Sequence, residues 1–413
     1  MMPRDRVLAL ILAGGKGSRL EPLTRERSKP AVPFGGRYRI VDFVLSNFVN
    51  SRFLSLYVLV QYMSQSLIEH LRIAWQTSGL VPDHFIAVVP PQMRIGEVWF
   101  RGSADAVLQN LNLIDDFDPD LVAVFGADHI YRMDVNQMVA FHREHEADVT
   151  VAARSVPLSE ASSFGNLVVD STGQIVEFAE KPATPRGMPG NPKQALVSMG
   201  NYLFSQRVLV EALLADARQN TEHDFGRSII PALVPTARVF AYDFQSNVVP
   251  GIKPYEEPGY WRDVGELDAY WRAHMDLLGE TPAFDLDNRR WPIHAGRYDG
   301  PPARIIGGDF ENAQVGEGSL VVRATIRNSI LGRGVWVNEG AVIEDSIVMD
   351  FTSVGKGAHV RRAIVDRYNI IPAGQQLGLD PAVDRERYRV DPSGLVVVPR
   401  GGRREFLWNT ESP

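Results

Sequence analysis

The tail of the chain repeats on a period that no helix can use. Val315, Val321, Ile326, Leu331, Val337, Ile343, Met349, Val354, Val360, Val365, Ile371 and Leu377 follow one another at intervals of five or six residues. A helix needs apolar residues three and four apart, so this spacing fits a β-solenoid in which each aliphatic side chain fills a narrow prism. Glycines recur at the corners, in Val315-Gly316-Glu317-Gly318, Leu331-Gly332-Arg333-Gly334 and Val354-Gly355-Lys356-Gly357. An ordinary β-sandwich with accidental spacing is the alternative, and so many matches at near-constant intervals argue against it. The ends and faces of a solenoid expose pairing surface, which favours association between chains.

The first two thirds read differently. Val7 to Ala13, Leu56 to Val60, Phe85 to Val89, Leu121 to Phe125 and Val149 to Ala153 are short apolar runs separated by helix-length segments. Such runs predict buried strands of a mostly parallel sheet covered on both faces, a Rossmann-like α/β domain. Leu267, Tyr270, Trp271, His274 and Leu278 keep helical spacing just after Asp263 and predict a closing amphipathic helix. The segment that follows is rich in Pro, Gly and Asp and reads as a linker over the surface. The 413 residues therefore divide into a Rossmann-like domain at 1–280, a linker at 281–302 and a solenoid at 303–413.

Charge and cysteine usage narrow the partners. The formal net charge of −7, with no long basic run, argues against nucleic acid or an anionic membrane as the main partner, while leaving room for local cations around a small anion. No cysteine is present, which removes disulfides, thiolate metal sites and a Cys nucleophile, and suits a cytoplasmic location. Arg4 and Arg6 ahead of Val7–Ala13 mimic a leader, but the run is short and passes straight into Gly14-Gly15-Lys16-Gly17, so we read it as a strand entering a glycine turn.

That turn opens the most informative stretch, LAGGKGSRLEPLTRERSKPAVPFGG from Leu12 to Gly36. Gly14, Gly15 and Gly17 let backbone N–H groups approach a phosphate, and Arg19 and Lys29, with Pro30 and Pro33, form a stiff cationic loop that core packing does not require. The spacing is neither that of a Walker loop nor that of a dinucleotide fingerprint. With it, in order, come Arg37-Tyr38-Arg39-Ile40-Val41-Asp42-Phe43 with Leu45-Ser46-Asn47, Trp99-Phe100-Arg101-Gly102-Ser103-Ala104-Asp105-Ala106, Gly126-Ala127-Asp128-His129, Phe178-Ala179-Glu180-Lys181-Pro182, Ser198-Met199-Gly200 and Tyr260-Trp261-Arg262-Asp263-Val264-Gly265. Together these resemble the sugar-1-phosphate nucleotidylyltransferases, and most closely the bacterial glucose-1-phosphate adenylyltransferase family, over nearly the whole chain.

The resemblance implies a left-handed β-helix for the tail, a homotetramer, and transfer of adenylate from ATP to glucose 1-phosphate in the service of glycogen synthesis. It assigns Asp128 and Asp263 to Mg²⁺, a hard cation suited to oxygen donors, and makes Asp128, Arg19 and Lys29 the catalytic residues. Gly14, Gly15, Gly17, Arg19, Lys29, Gln61 and Gly102 would bind ATP, and Phe100, Gly165, Glu180, Lys181 and Ser198 glucose 1-phosphate. Phe100 stands where many relatives carry a tyrosine. Taken alone, Asp128 and Asp263 read equally as helix caps, Lys181 and Gln61 as surface residues, and His129, Trp261 and Trp271 as structural. The nucleophile of such a reaction is already ionised, so positioning and charge neutralisation suffice and no Ser-His-Asp set is needed.

Arg27 and Arg39 match positions where relatives bind small anionic allosteric effectors. Glu26 replaces a lysine, and Pro33 a histidine, of relatives activated by a sugar bisphosphate; a carboxylate there repels phosphate, which argues against fructose 1,6-bisphosphate as the main activator. Two rival readings are an enzyme of the same class using UTP or dTTP, and a non-catalytic regulatory subunit of the same fold.

Overall fold

A computed structural model describes residues 5–76, 83–92 and 99–403. Arg4 and the end of the 303–413 unit, from residue 404, lie outside them. The expected strands are present, as Val7–Ala13, Ser55–Val60, Phe85–Val89, Leu121–Gly126 and Val149–Pro157. The first four lie side by side and parallel, with Val7–Ala13 between Leu121–Gly126 and Ser55–Val60, and Phe85–Val89 at the edge. Val7, Ala9 and Ile11 pack into one core while Leu8 and Leu10 pack into a second on the other face, so the run has no polar alternation.

Beyond Leu121–Gly126 the sheet turns antiparallel. The long strand Gln194–Ser205 pairs antiparallel with Leu121–Gly126, with Val149–Pro157 and with Gly165–Val169, which in turn pairs with Ile175–Glu180. Val149–Pro157 is thus in the sheet as expected, but only Val239–Asp243 runs parallel to it. The sheet is mixed, with its parallel half gathering three loops at the carboxyl ends of the strands, where open α/β sheets bind ligands. Those loops carry Gly14, Gln61 and Asp128.

The predicted closing helix is Leu267–Met275, with Leu267, Tyr270 and His274 buried. From there to the strand Arg304–Val315 the chain has neither helix nor strand, yet it is pinned down: Phe284, Trp291 and Ile293 are buried, and Asn50 Nδ2 donates to Pro292 O at 2.9 Å while His294 N donates to Ser46 Oγ at 2.9 Å.

The tail forms a three-faced parallel β-helix. One column stacks Val321, Val337, Val354 and Ile371, the second Ile326, Ile343, Val360 and Leu377, the third Leu331, Val348, Val365 and Val398, all pointing into the prism. Gly318, Gly334 and Gly357 turn corners at φ of +75°, +60° and +65°. Met349, counted into the sequence period, is not in the prism; Val348 takes that place. Met349 joins the outward column Ile330, Ile347, Ile364 and Val397, which is buried against Leu20, Leu23, Phe34 and Tyr270 of the first domain. Among the described residues no helix is long and apolar enough to cross a membrane.

Candidate active site

Two cavities open along the carboxyl ends of the parallel strands. The first, about 390 Å³, is lined by Gly14, Gly15, Lys29, Gln61, Phe100, Gly102 and Asp128, among others. Gly17 sits outside it and supports it. Its φ of +65° lies in the left-handed region, and a Cβ there would stand 2.9 Å from Lys29 Cβ, so only glycine lets the loop close on Lys29. Gly102 is equally constrained, because a Cβ would lie 2.3 Å from His223 O. The Gln61 amide is held by the Phe100 backbone, accepting from its N at 2.6 Å and donating to its O at 3.3 Å.

The second cavity, about 240 Å³, is lined by Arg19, Gly165, Glu180, Lys181, Ser198 and Asp263, among others, and shares Asp128 with the first. Four of the five residues assigned to the sugar phosphate thus meet here. Phe100 does not, and lies in the first cavity. Ser198 is placed by an irregularity in Gln194–Ser205 between Ser198 and Tyr202. A Cβ on Gly165 or Gly226 would lie 2.8 or 2.6 Å from Glu180 Oε2, so these two glycines clasp its carboxylate.

Where the cavities join, a short antiparallel ribbon brings two distant acids together: His129–Tyr131 pairs with Trp261–Asp263, with Asp263 opposite His129. Lys29 lies between the acids, its Nζ donating to Asp128 Oδ2 at 2.9 Å and to Asp263 Oδ1 at 3.0 Å. Burial opposes the charge on Lys29, but the two carboxylates outweigh it and raise its pKa above the ordinary lysine value. Burial likewise opposes ionisation of Asp128, and is outweighed by His129, Lys29 and Lys181, which hold the carboxyl below the usual range. Glu180 goes the other way, raised by burial and by Asp224 against the pull of Lys181. Donor atoms of Asp128, His129 and Asp263 lie within 4.8 Å of one another. This oxygen-rich set, already wrapped around one ammonium, suits a hard divalent cation.

Arg19, assigned to the triphosphate, faces the second cavity and pairs with Glu266 at 3.0 Å on the surface. Arg27 and Arg39 part company: Arg39 lines a small cavity between the domains, whereas Arg27 is buried against Asp366. Sequence reasoning passed over Asp224 and the role of Ser103. Asp224 Oδ1 caps Gly226 N and Arg227 N, and its Oδ2 accepts from Ser103 Oγ at 2.7 Å, tying a loop of the second cavity to the helix Ser103–Leu108, whose first residue also lines the first cavity. The available signal was an aspartate ahead of a helical run, which by itself says only cap. His129, read as structural, packs on Trp261 with ring centroids 4.8 Å apart while facing the acids.

Known proteins resemble this chain over nearly its whole length. Residues 8–280 match the model of the nucleotidyl transferase family, and residues 301–398 match that of the GlmU-like C-terminal hexapeptide. A glucose-1-phosphate adenylyltransferase of Thermodesulfovibrio yellowstonii is 52% identical over 96% of this chain and 97% of its own. Proteins of the same name from Anaeromyxobacter and Corynebacterium diphtheriae are each 49% identical, over 97% and 96% of this chain and 99% and 93% of theirs.

Proposed function

The chain belongs to the glucose-1-phosphate adenylyltransferase family of nucleotidyl transferases, and from that premise we propose that it joins glucose 1-phosphate to the α-phosphate of ATP, releasing pyrophosphate and ADP-glucose for glycogen synthesis. The observation that carries the reading is the placement of Asp128 in the lining of both cavities, with Lys29 bridging it to Asp263.

In this reading ATP enters the first cavity, its phosphates over Gly14 and Gly15, and Gly102 and Gln61 face the nucleoside. Glucose 1-phosphate enters the second, with Glu180 on sugar hydroxyls, Lys181 on the phosphate, and Gly165 and Ser198 on the sugar phosphate. Phe100 brings no hydroxyl to that phosphate. A phosphate oxygen then attacks the α-phosphorus near Asp128 while Lys29 and Arg19 neutralise charge on the departing pyrophosphate. Asp128 and Asp263 would hold Mg²⁺, which supplies a Lewis acid for the phosphoryl oxygens. The chain contributes alignment, which for a nucleophile that needs no base is worth more than proton transfer.

Release of pyrophosphate by the purified chain, assayed across ATP, UTP and dTTP with glucose 1-phosphate, tests the proposal. Release with ATP in clear preference is the expected result; preference for UTP or dTTP would move the chain within its class. No release with any of them would refute the proposal and favour a regulatory subunit, a reading that the presence of Arg19, Lys29, Asp128, Lys181 and Asp263 opposes.

The proposal extends to a cytoplasmic homotetramer under allosteric control. A cavity of about 110 Å³ between the domains is lined by Arg37, Arg39, Arg333 and Arg367 with Asp350. The Arg39 guanidinium is brought down to about 10 by burial and by the nearby Arg367 and Arg27, so a small anionic effector there would relieve crowded positive charge. Glu26 is paired with Arg400 at 2.7 Å, which places a carboxylate on a cation that could otherwise take a second phosphate.

A further inference from the structure

The loop that carries Lys29 is gripped from the other domain. Arg27, two residues earlier, is 4% exposed, and Asp366, just past the β-helix strand Ala363–Val365, is fully buried. Arg27 Nη2 donates to Asp366 Oδ2, and its Nε donates to Leu23 O at 2.9 Å. Asp366 is itself fixed: its Oδ1 accepts from Arg367 N at 2.7 Å, and its backbone oxygen accepts from Thr352 Oγ1 at 3.2 Å and Asn369 Nδ2 at 2.8 Å. Arg389 to Glu21 O and Arg400 to Glu26 also reach this loop, but at exposed positions where such contacts contribute little. Breaking the Arg27–Asp366 pair would instead strand a charge in the interior.

The domains do not need this pair to adhere. The column Ile330, Ile347, Ile364 and Val397 already joins them with apolar surface, and a buried ion pair is seldom a better glue than hydrophobic packing. What the pair adds is direction. It fixes the chain just before the short turn Lys29–Ala31, from which the Lys29 ammonium reaches both acids.

We infer that Asp366 is a positioning residue for the reaction proposed above: through Arg27 it sets the place of Lys29, and hence the affinity for ATP, from the β-helix domain. The inference rests on that reading of the site.

Asp366→Asn keeps the side-chain shape and an acceptor for Arg367 N but removes the charge. In the full chain we expect both the dissociation constant for ATP, by titration calorimetry, and the KM for ATP to rise by about tenfold, with the KM for glucose 1-phosphate changed less than about twofold. Val397→Ala, which removes apolar packing from the same interface but leaves the Arg27–Asp366 pair in place, should lower Tm and leave both KM values in place. If Asp366→Asn does not fold, Arg27→Lys, which keeps the charge and loses the hydrogen bond to Leu23, carries the same test. An ATP affinity equal to wild type in the variant, or the same loss in Val397→Ala, overturns the inference alone. A wild-type chain that binds no ATP overturns the proposed function, and this inference with it.

Discussion

Lys29 touches acids that are 99 and 234 positions away in the chain, so its removal should be felt at once in turnover. Lys29→Met is expected to lower pyrophosphate release by about 10²–10³-fold, the range for losing one preorganised charge at a reacting centre, read as kcat in a coupled assay. With the Asp128 pKa lowered, its share of the pair's stability is complete above the ordinary value of 3.8 and lost as pH falls through the folded value. With the Lys29 pKa raised, its share is complete below 10.5 and lost only as pH rises through the folded value. Neither group should therefore bend the rate profile between about pH 5 and 9. Glu180 gives the opposite sign. Its raised pKa means that folding loses stability as pH climbs from 4.5 through the folded value, so Glu180→Gln should raise Tm at pH 7, give no difference below pH 4.5, and weaken glucose 1-phosphate binding. Gly17→Ala should cost roughly 1–2 kcal/mol for the left-handed backbone, measured by chemical denaturation, and should push Lys29 aside, lowering kcat. Gly17 and Lys29 stood out in the sequence because glycine and charge in a stiff loop have few other uses, whereas Asp128 read alone as a helix cap and was singled out only through the resemblance. Ser103 and Asp224 were not, since hydroxyls and carboxylates cap helices everywhere. The Arg19–Glu266 pair joins two surface residues whose meeting no local pattern encodes.

At the scale of elements, the site depends on a ribbon of two three-residue strands that holds both acids at the same end, Asp263 opposite His129 and Asp128 just ahead of it. Such short strands carry no readable alternation, and their pairing was knowable only through the resemblance. The reversal of direction within the main sheet was hidden for a different reason. Val149–Ala153 is buried on both faces, and a doubly buried strand shows the same apolar run whichever way its neighbours run. The solenoid was legible because every corner returns an aliphatic residue to the prism, and it failed only at Met349, where Val348 and Met349 are both apolar and buried for different partners. The columns make a prediction: Ile343→Ala, in the middle of the second, should cost about 2–5 kcal/mol through its cavity, seen as a lowered midpoint for the β-helix transition, with the KM for ATP unchanged.

At the scale of the molecule, the two domains share an apolar column and a cationic cavity, so a ligand between them and the loop that carries Lys29 are mechanically adjacent. The composition of residues 281–302 suggested a surface linker; its anchors Phe284, Trp291 and Ile293 are too widely spaced to announce themselves. Light scattering should find four copies of the chain in solution, as the proposed homotetramer requires, and a monomer would count against it. The central claim is that two acids far apart in the sequence of the first domain converge on one cation at the junction of two substrate cavities. Anomalous diffraction from crystals grown with Mn²⁺ and a non-hydrolysable ATP analogue tests it most directly: the account predicts a peak bridging Asp128 and Asp263 with the analogue's phosphates over Gly14 and Gly15, and a peak bound elsewhere, with both acids turned away from it, would contradict it.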